Sequence, residues 1–346
     1  MTSTAPVPAA DLQARRVAIP AIAAPPAVTL GRVHRFGGDT MGTSWCVSVV
    51  SPLADPVPGL QALVQTVLDD VVVQMSTWRA DSWISRFNDA PAGTAVVMPA
   101  ETATVLACAI EVASLTEGAY DPTMGPLTDL WGFGPPGPRT TPPDTNEVRR
   151  CHGRTGWQRL VCDAPTRTLV QPGGIRLDLS AIAKGFAVDA VSDRLARAGV
   201  DASLVDIGGE LRGRGVKPDG QPWWVELESP RTQAHAAGDD TILLALHDVA
   251  VATSGDYRRF FEHDGRRYAH TIDPRTGRPV GHALASATIV HASCMTADAL
   301  STALTVMGVE EGLAFCATHD IAACLVDRDG DTLREHRSDA FDTLLS

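Results

Sequence analysis

Three groups of residues in this chain have types and spacings that could do chemistry. The first is Leu177-Asp178-Leu179-Ser180-Ala181-Ile182-Ala183-Lys184-Gly185. Apolar Ile175, Leu177 and Leu179 alternate with polar neighbours as a strand does, and the residues after them open a helix. A joint of that kind presents unpaired backbone groups beside a carboxylate (Asp178), a hydroxyl (Ser180) and an ammonium (Lys184), a set suited to a metal ion and a phosphate. Alone, it reads equally well as a capped helix with ordinary surface ion pairs. The second group is Asp298 and Thr302, one helical turn apart, whose oxygens share a face and suit a hard cation such as Mg²⁺. The alternative there is a first-turn Asp that favours the helix dipole. The third is His270, a proton acceptor near neutrality, although a strand histidine is more often a hydrogen-bonded structural residue.

Elements legible from periodicity must position these groups. A first ordered element runs from about Val33 into Val50 and contains Gly37-Gly38-Asp39-Thr40-Met41-Gly42-Thr43 before the alternating Trp45, Val47 and Val49. Leu60, Leu63, Val64, Val67, Leu68, Val71 and Met75 form the apolar stripe of a helix that ends at Ser76-Thr77-Trp78. An Asp or Ser caps a short helix holding Ile84 and Phe87. A further helix spans about Glu101 to Thr116, and after it Gly118 to Leu127 mixes turn formers and aromatics as functional loops do. Residues 135 to 155, rich in Pro, Thr and Asp, predict an exposed excursion.

Beyond the joint, the helix continues through Leu195, and Leu204 to Ile207 runs as a strand into Gly208-Gly209. Trp223 to Glu228 and Thr241 to Leu246 predict antiparallel strands. Asp264-Gly265 marks a hairpin turn that puts Tyr268-Ala269-His270-Thr271-Ile272 on the returning strand. A strand over Ser286 to His291 leads to a helix capped by Ser293 or Thr296 that reaches about Met307, and Ile321 to Val326 reads as a last apolar strand. Hairpins and helices interleave without regular βαβ alternation, which favours an α+β architecture over a doubly wound sheet.

Composition excludes several function classes. With 29 basic against 41 acidic residues in 346, the net charge is −12, which repels nucleic-acid backbones and anionic membranes. A phosphate ligand must then be small and locally neutralised, most simply by a divalent cation. No apolar run approaches the roughly 18 residues that span a bilayer. The seven cysteines form no Cys-x-x-Cys pair and are odd in number, which points to reduced, mostly buried thiols. Residues 1 to about 30 read as a flexible Ala/Pro-rich tail without a compact signal core, and 31–346 as a single domain. No cysteine precedes Cys46, so no lipid anchor is expected, and the cytoplasm is the expected location, with export by an atypical signal as the alternative. P-loop, Gly-x-Gly-x-x-Gly, His-Glu-x-x-His and Gly-x-Ser-x-Gly patterns are absent.

In order, Met41-Gly42-Thr43, Met75-Ser76-Thr77-Trp78, Asp121-Pro122-Thr123, Leu177 to Gly185, Val205 to Glu210, Thr253 to Tyr257, His270 to Gly277 and Ala297 to Leu300 resemble the FAD:protein FMN transferases of the ApbE type. The resemblance runs from about Met41 to about Gly312. It implies an α+β, T-fold-like structure of antiparallel sheets packed with helices, with an FAD cleft between two subregions. It also implies Mg²⁺-dependent transfer of the FMN half of FAD to a Ser or Thr hydroxyl of a target flavoprotein, with release of AMP. The implied metal ligands are the Ala181 carbonyl, Asp298 and Thr302, and His270 is the implied base. Met41, Trp78, Ala119, Tyr120, Asp121, Asp178, Lys184 and Ile272 match positions that contact the dinucleotide. Relatives mostly carry Tyr at the position of Trp78, which keeps ring stacking and loses a hydroxyl. Two other readings are an FAD pyrophosphatase, in which water attacks, and a flavin-binding module without catalysis.

Overall fold

The computed structural model describes residues 16–21, 28–54, 56–227, 230, 241–256, 259–330 and 332–345. Tyr257, Glu228 and residues 1–15 and 22–27 of the expected tail lie outside them. Residues 16–18 of that tail are placed, however: β1 (Arg16–Ala18) pairs in parallel with β10 (Ile242–Leu246), and Ala18 is fully buried. Its Arg-Val-Ala is too short for a periodic signal, so only a tertiary partner reveals it.

The centre is an eight-stranded antiparallel sheet, which completes the expected α+β architecture. Its spatial order is β18 (Thr332–Arg337), β17 (Ala322–Asp329), β16 (Leu284–His291), β11 (Val249–Gly255), β8 (Glu210–Arg214), β7 (Ser203–Ile207), β3 (Thr43–Ser51) and β2 (Arg32–Thr40). Both faces are covered, so alternate residues divide between two cores. Val47, Val49, Val205, Ile207, Ala250, Ala252, Ile289 and Leu325 face helices. Val50, Leu204, Val251, Val290 and Cys324 face a small sheet of β1, β10 and β9 (Trp223–Glu226). Period-two patterning with apolar residues at both phases is what a doubly covered sheet requires.

The helical layer consists of α1 (Val57–Met75), α2 (Trp83–Asn88), α3 (Ala100–Leu115), α6 (Ala183–Arg197) and α7 (Cys294–His319). On α1, Val64, Leu68, Val71 and Met75 recur every three or four residues and are buried, and Ser82 caps α2 by accepting from the Ser85 N–H at 3.1 Å. Within α7, Gly308 leaves helical geometry at φ 81°, so the expected stop near Met307 is a break, after which a second helical segment follows. By length and composition α7 would pass for a membrane span, but 56% of its most apolar stretch is buried within the fold, as in a core helix.

A second subregion holds α4 (Gly125–Leu130), α5 (Thr145–His152) and two hairpins, β12 (Phe260–His263) with β13 (Arg266–Ala269) and β14 (Ile272–Asp273) with β15 (Arg278–Pro279). Trp131, Phe133, Phe261 and Tyr268 form its aromatic core with Met124, Leu127, Val148 and Ile272. A three-stranded sheet of β4 (Ala95–Val97), β6 (Thr168–Val170) and β5 (Val161–Asp163) edges the molecule, and α8 (Asp339–Asp342) closes the chain.

Four expectations are corrected in detail. The element from Val33 to Val50 is a hairpin, turned at Met41 (φ 48°) and Gly42 (φ 73°), the left-handed pair that a two-residue hairpin turn demands. The excursion at 135–155 contains α5, stabilised by a capping box of Asp144 and Glu147. The returning strand of the second hairpin stops at Ala269, one residue before His270. Finally, Ile175, Leu177 and Leu179 are all fully buried, yet they form no sheet strand. The Asn88 amide supplies what a neighbouring strand would: its Nδ2 donates to the Leu177 carbonyl at 2.9 Å, and its Oδ1 accepts from the Leu177 N–H at 2.7 Å.

Candidate functional site

The joint and the late helix meet at one contact. Gly185 N–H, in the first turn of α6, donates to Asp298 Oδ2 at 2.9 Å. A helix continuing backwards would have used that N–H on the Ala181 carbonyl, so the bond to Asp298 leaves Ala181 O without a backbone donor among the described residues. The approach is close enough to require glycine, since a Cβ at position 185 would stand 2.3 Å from the Cys294 carbonyl oxygen and 2.8 Å from the Asp298 Cβ. Asp298 is 3% exposed. One turn on, Thr302 Oγ1 shares a hydrogen bond with Ser254 Oγ at 3.1 Å, and Ser254 also bonds Ser301 Oγ at 2.7 Å.

Asp189, on the same helix as Gly185, locks this crossing. Its carboxylate accepts from the Cys294 and Met295 N–H groups at 3.1 and 3.0 Å and from Ser293 Oγ at 2.9 Å, and it forms an ion pair with Arg212. The orphan donors at the start of α7 are thus satisfied by α6 rather than by the α7 cap alone. Lys184 lies on the first turn of α6 and forms an ion pair with Glu210, which is buried at the β7–β8 turn.

The loop at 119–123 packs against the joint. Asp178 N–H donates to the Pro122 carbonyl at 2.8 Å, and the Asp178 carboxylate accepts from Ser180 N–H at 3.0 Å and from its hydroxyl. Asp121 turns inward, accepting from Thr123 N–H and Oγ1 at 2.7 and 2.6 Å and from Trp157 N–H at 3.2 Å. Burial pushes its carboxyl above the usual range against those bonds. Ala119 and Tyr120 are buried, and the Tyr120 hydroxyl has no hydrogen-bond partner among the described residues. Burial first, then the Asp298 and Asp178 carboxylates, holds that phenol well above its ordinary pKa. An orphaned buried hydroxyl beside two carboxylates costs stability and points to a ligand contact.

His270 comes from the other subregion. Its ring is half-buried, edge-on to Phe133 at 6.3 Å, and Nδ1 lies 3.1 Å from the Arg259 carbonyl. A carbonyl only accepts, so Nδ1 carries the proton and Nε2 is the basic nitrogen. Burial, with smaller contributions from the Arg259 and Lys184 charges, lowers its pKa to about 4.

Of the residues expected from sequence, Ala181, Lys184, Asp298, Thr302, Asp178, Ala119, Tyr120 and Asp121 gather around the α6–α7 crossing. Ile272 sits in the aromatic core of the second subregion, beside Met124 of the adjoining loop. Met41 rests against the main core from the β2–β3 turn, and Trp78 projects from the α1–α2 turn with 60% of its surface exposed. Asn88 and Asp189 escape sequence reasoning, because an amide and a carboxylate carry no distinctive spacing, and Ser254 is legible only as part of the Thr253 to Tyr257 motif, without a role of its own.

The oxygen set at the crossing fits Mg²⁺. No three His, Cys, Asp or Glu side chains converge among the described residues, so a zinc-like site is not formed. One buried carboxylate, a hydroxyl and a carbonyl left without a backbone donor are hard neutral and anionic ligands that leave room for water and phosphate oxygens.

Comparison with known proteins identifies the family. The ApbE family profile matches residues 41–325. An FAD:protein FMN transferase of Vibrio cholerae is 39% identical over 317 residues, covering 91% of this chain and 93% of the relative, and one of Haemophilus influenzae is 36% identical over 320 residues, covering 90% and 92%. The crystal structure of the Pseudomonas stutzeri flavinyl transferase ApbE, in its apo form, superposes with a TM-score of 0.83 at 40% identity, covering 90% of this chain and 96% of that one. With the profile spanning most of its length and curated relatives aligned nearly end to end, the chain belongs to the ApbE family.

Proposed function

We propose that this protein transfers the FMN half of FAD to a Ser or Thr hydroxyl of a target flavoprotein, in a Mg²⁺-dependent reaction that releases AMP. The observation that carries the reading is the Asp298–Gly185 bond, which joins a hard-cation face to a phosphate-compatible helix start. Names of relatives aligned over about nine-tenths of the chain support the activity.

The residues divide the work. Lys184, on the first turn of α6, adds a cationic donor to the helix N-terminus for the pyrophosphate. Asp298, Thr302 and the Ala181 carbonyl would hold Mg²⁺, which when bound withdraws charge from the phosphate oxygens. His270 Nε2 takes the proton from the acceptor hydroxyl, whose oxygen bonds the FMN phosphorus as the bond to the AMP phosphate breaks. Burial keeps the His270 imidazole neutral, so Nε2 is free to accept that proton. Tyr120 supplies a donor that water does not reach.

The test is incubation with FAD, Mg²⁺ and co-expressed candidate proteins, read by mass spectrometry for an FMN adduct. An adduct that requires Mg²⁺ and vanishes in Asp298→Ala is expected. Release of FMN and AMP with no adduct on any candidate would make water the acceptor instead, and flavin binding without AMP release would leave a binding module.

A further inference from the structure

Outside the crossing, the second subregion contains a cavity of about 150 Å³. Trp131 and Tyr268, stacked with centroids 5.8 Å apart, Pro143, and the guanidinium-bearing Arg266, Arg267 and Arg278 line it. Three arginines around one small cavity stand out in a chain whose net charge is −12. Several arginines elsewhere meet carboxylates, such as Arg16 with Glu335, Arg212 with Asp189, Arg328 with Asp256 and Arg275 with Glu311, while others, such as Arg154 and Arg159, meet backbone carbonyls.

The cavity arginines do not form ion pairs among the described residues. Arg278 donates to Thr145 Oγ1 at 3.2 Å, and Arg267 donates to the Asp256 carbonyl at 3.0 Å. Arg266 lies 5.3 Å from the Tyr268 ring centroid and Arg267 3.7 Å over Phe260. Glu262 faces Arg267 across the hairpin without pairing to it. Neutral partners and ring faces orient these guanidinium groups without a protein counter-charge; Arg266 and Arg278 are exposed to solvent, and Arg267 Nε is buried and unbonded. Pre-oriented guanidinium groups without a protein counter-charge are a carboxylate site.

Size and position identify the occupant. About 150 Å³ is below the few hundred Å³ that a drug-sized ligand fills, so a whole flavin does not fit, whereas one acidic side chain does. Tyr268 is two residues from His270 on the chain leaving β13, so what binds here is held within a few residues of the base. We propose that this arginine-lined cavity seats an acidic side chain of the acceptor protein near its modified Ser or Thr. The proposal rests on the transferase reading for the identity of the partner and on the cavity alone for its chemistry. Binding energy spent at this distance from the reacting hydroxyl orients the acceptor rather than the flavin.

The test separates these two layers. Dansylated Thr-containing peptides, one with flanking Asp and Glu and one with Asn and Gln in their place, are titrated by anisotropy into the full-length protein at low salt, without FAD. The acidic peptide is expected to bind at least tenfold tighter, and the preference to vanish in Arg266→Gln/Arg278→Gln and to fade as salt rises. FAD binding by that variant should match the parent, which also reports that it is folded. Equal binding of the two peptides, binding of neither, or a preference that survives the double substitution overturns the proposal. A loss of AMP or pyrophosphate affinity in the variant also overturns it, by making the cavity a nucleotide subsite. The titration involves no turnover, so it stands or falls independently of whether FMN transfer is observed.

Discussion

The α6–α7 crossing and the His270 hairpin solve the same positioning task in different ways. At the crossing, oxygen atoms are placed by backbone contact: a glycine, a carboxylate on its N–H, and a second carboxylate across two helix ends. At the hairpin, the imidazole leans on an aromatic cluster and a single carbonyl and stays partly open to solvent. The first arrangement is intolerant of added volume at Gly185, as the proposed cation site requires. The second is more open, as a site that admits a protein substrate must be.

That contrast can be broken most directly at Gly185. Alanine there would push α6 from α7, and overpacking of this kind costs about 1–3 kcal/mol. Transfer should be abolished and the thermal midpoint should fall; a variant with normal activity would mean the close approach is incidental. Asp298→Ala comes next, losing Mg²⁺-dependent turnover and leaving the buried Gly185 N–H without its acceptor. Activity retained at ordinary Mg²⁺ would remove Asp298 from the cation.

His270→Ala should behave in the opposite way. A base contributes about 10²–10⁴-fold to rate, so transfer should drop by that factor while FAD affinity and thermal midpoint stay near the parent values. Asp189→Ala sharpens the contrast from the crossing side, because the start of α7 would lose three donated hydrogen bonds, for about 1–3 kcal/mol of stability. It should lower kcat and leave the acceptor KM unchanged, whereas a purely structural residue would lower only the midpoint.

The smallest effect is in pH. A histidine whose folded pKa is depressed to about 4 stays neutral while the unfolded chain takes up a proton near 6.5, so stability declines as pH falls from about 6.5 to about 4 and the loss then levels off. For the same reason the acid limb of kcat/KM should lie below 6.5, and that limb should disappear in His270→Ala, measured on the residual activity. A limb at 6.5 would mean that the imidazole is hydrated in solution.

Much of this architecture is legible in the order of the amino acids. Periodicity and apolar runs locate α1, α2, α3, α6, β7, β9, β10 and the first segment of α7, and the Asp264-Gly265 turn locates its hairpin. The irregular parts are not legible. Ile175, Leu177 and Leu179 alternate as a strand does, and burial alone enforces that pattern even where Asn88 takes the place of a sheet neighbour. Neither β1 nor β18 shows a stripe, since β1 is three residues long and β18 alternates charges on a sheet edge.

The Leu177–Gly185 stretch on its own determined that a carboxylate, an ammonium and a helix start would stand together, because neighbours along the chain cannot separate. Residue types alone likewise determined that Asp298 and Thr302 share a helical face. Only the tertiary structure decided that Gly185 and Asp298, more than a hundred residues apart, share one hydrogen bond, and that His270 Nδ1 leans on the Arg259 carbonyl. The physical reason is that helix and strand periods report which side of an element is buried, whereas contacts between elements depend on the angle and distance at which two buried faces pack.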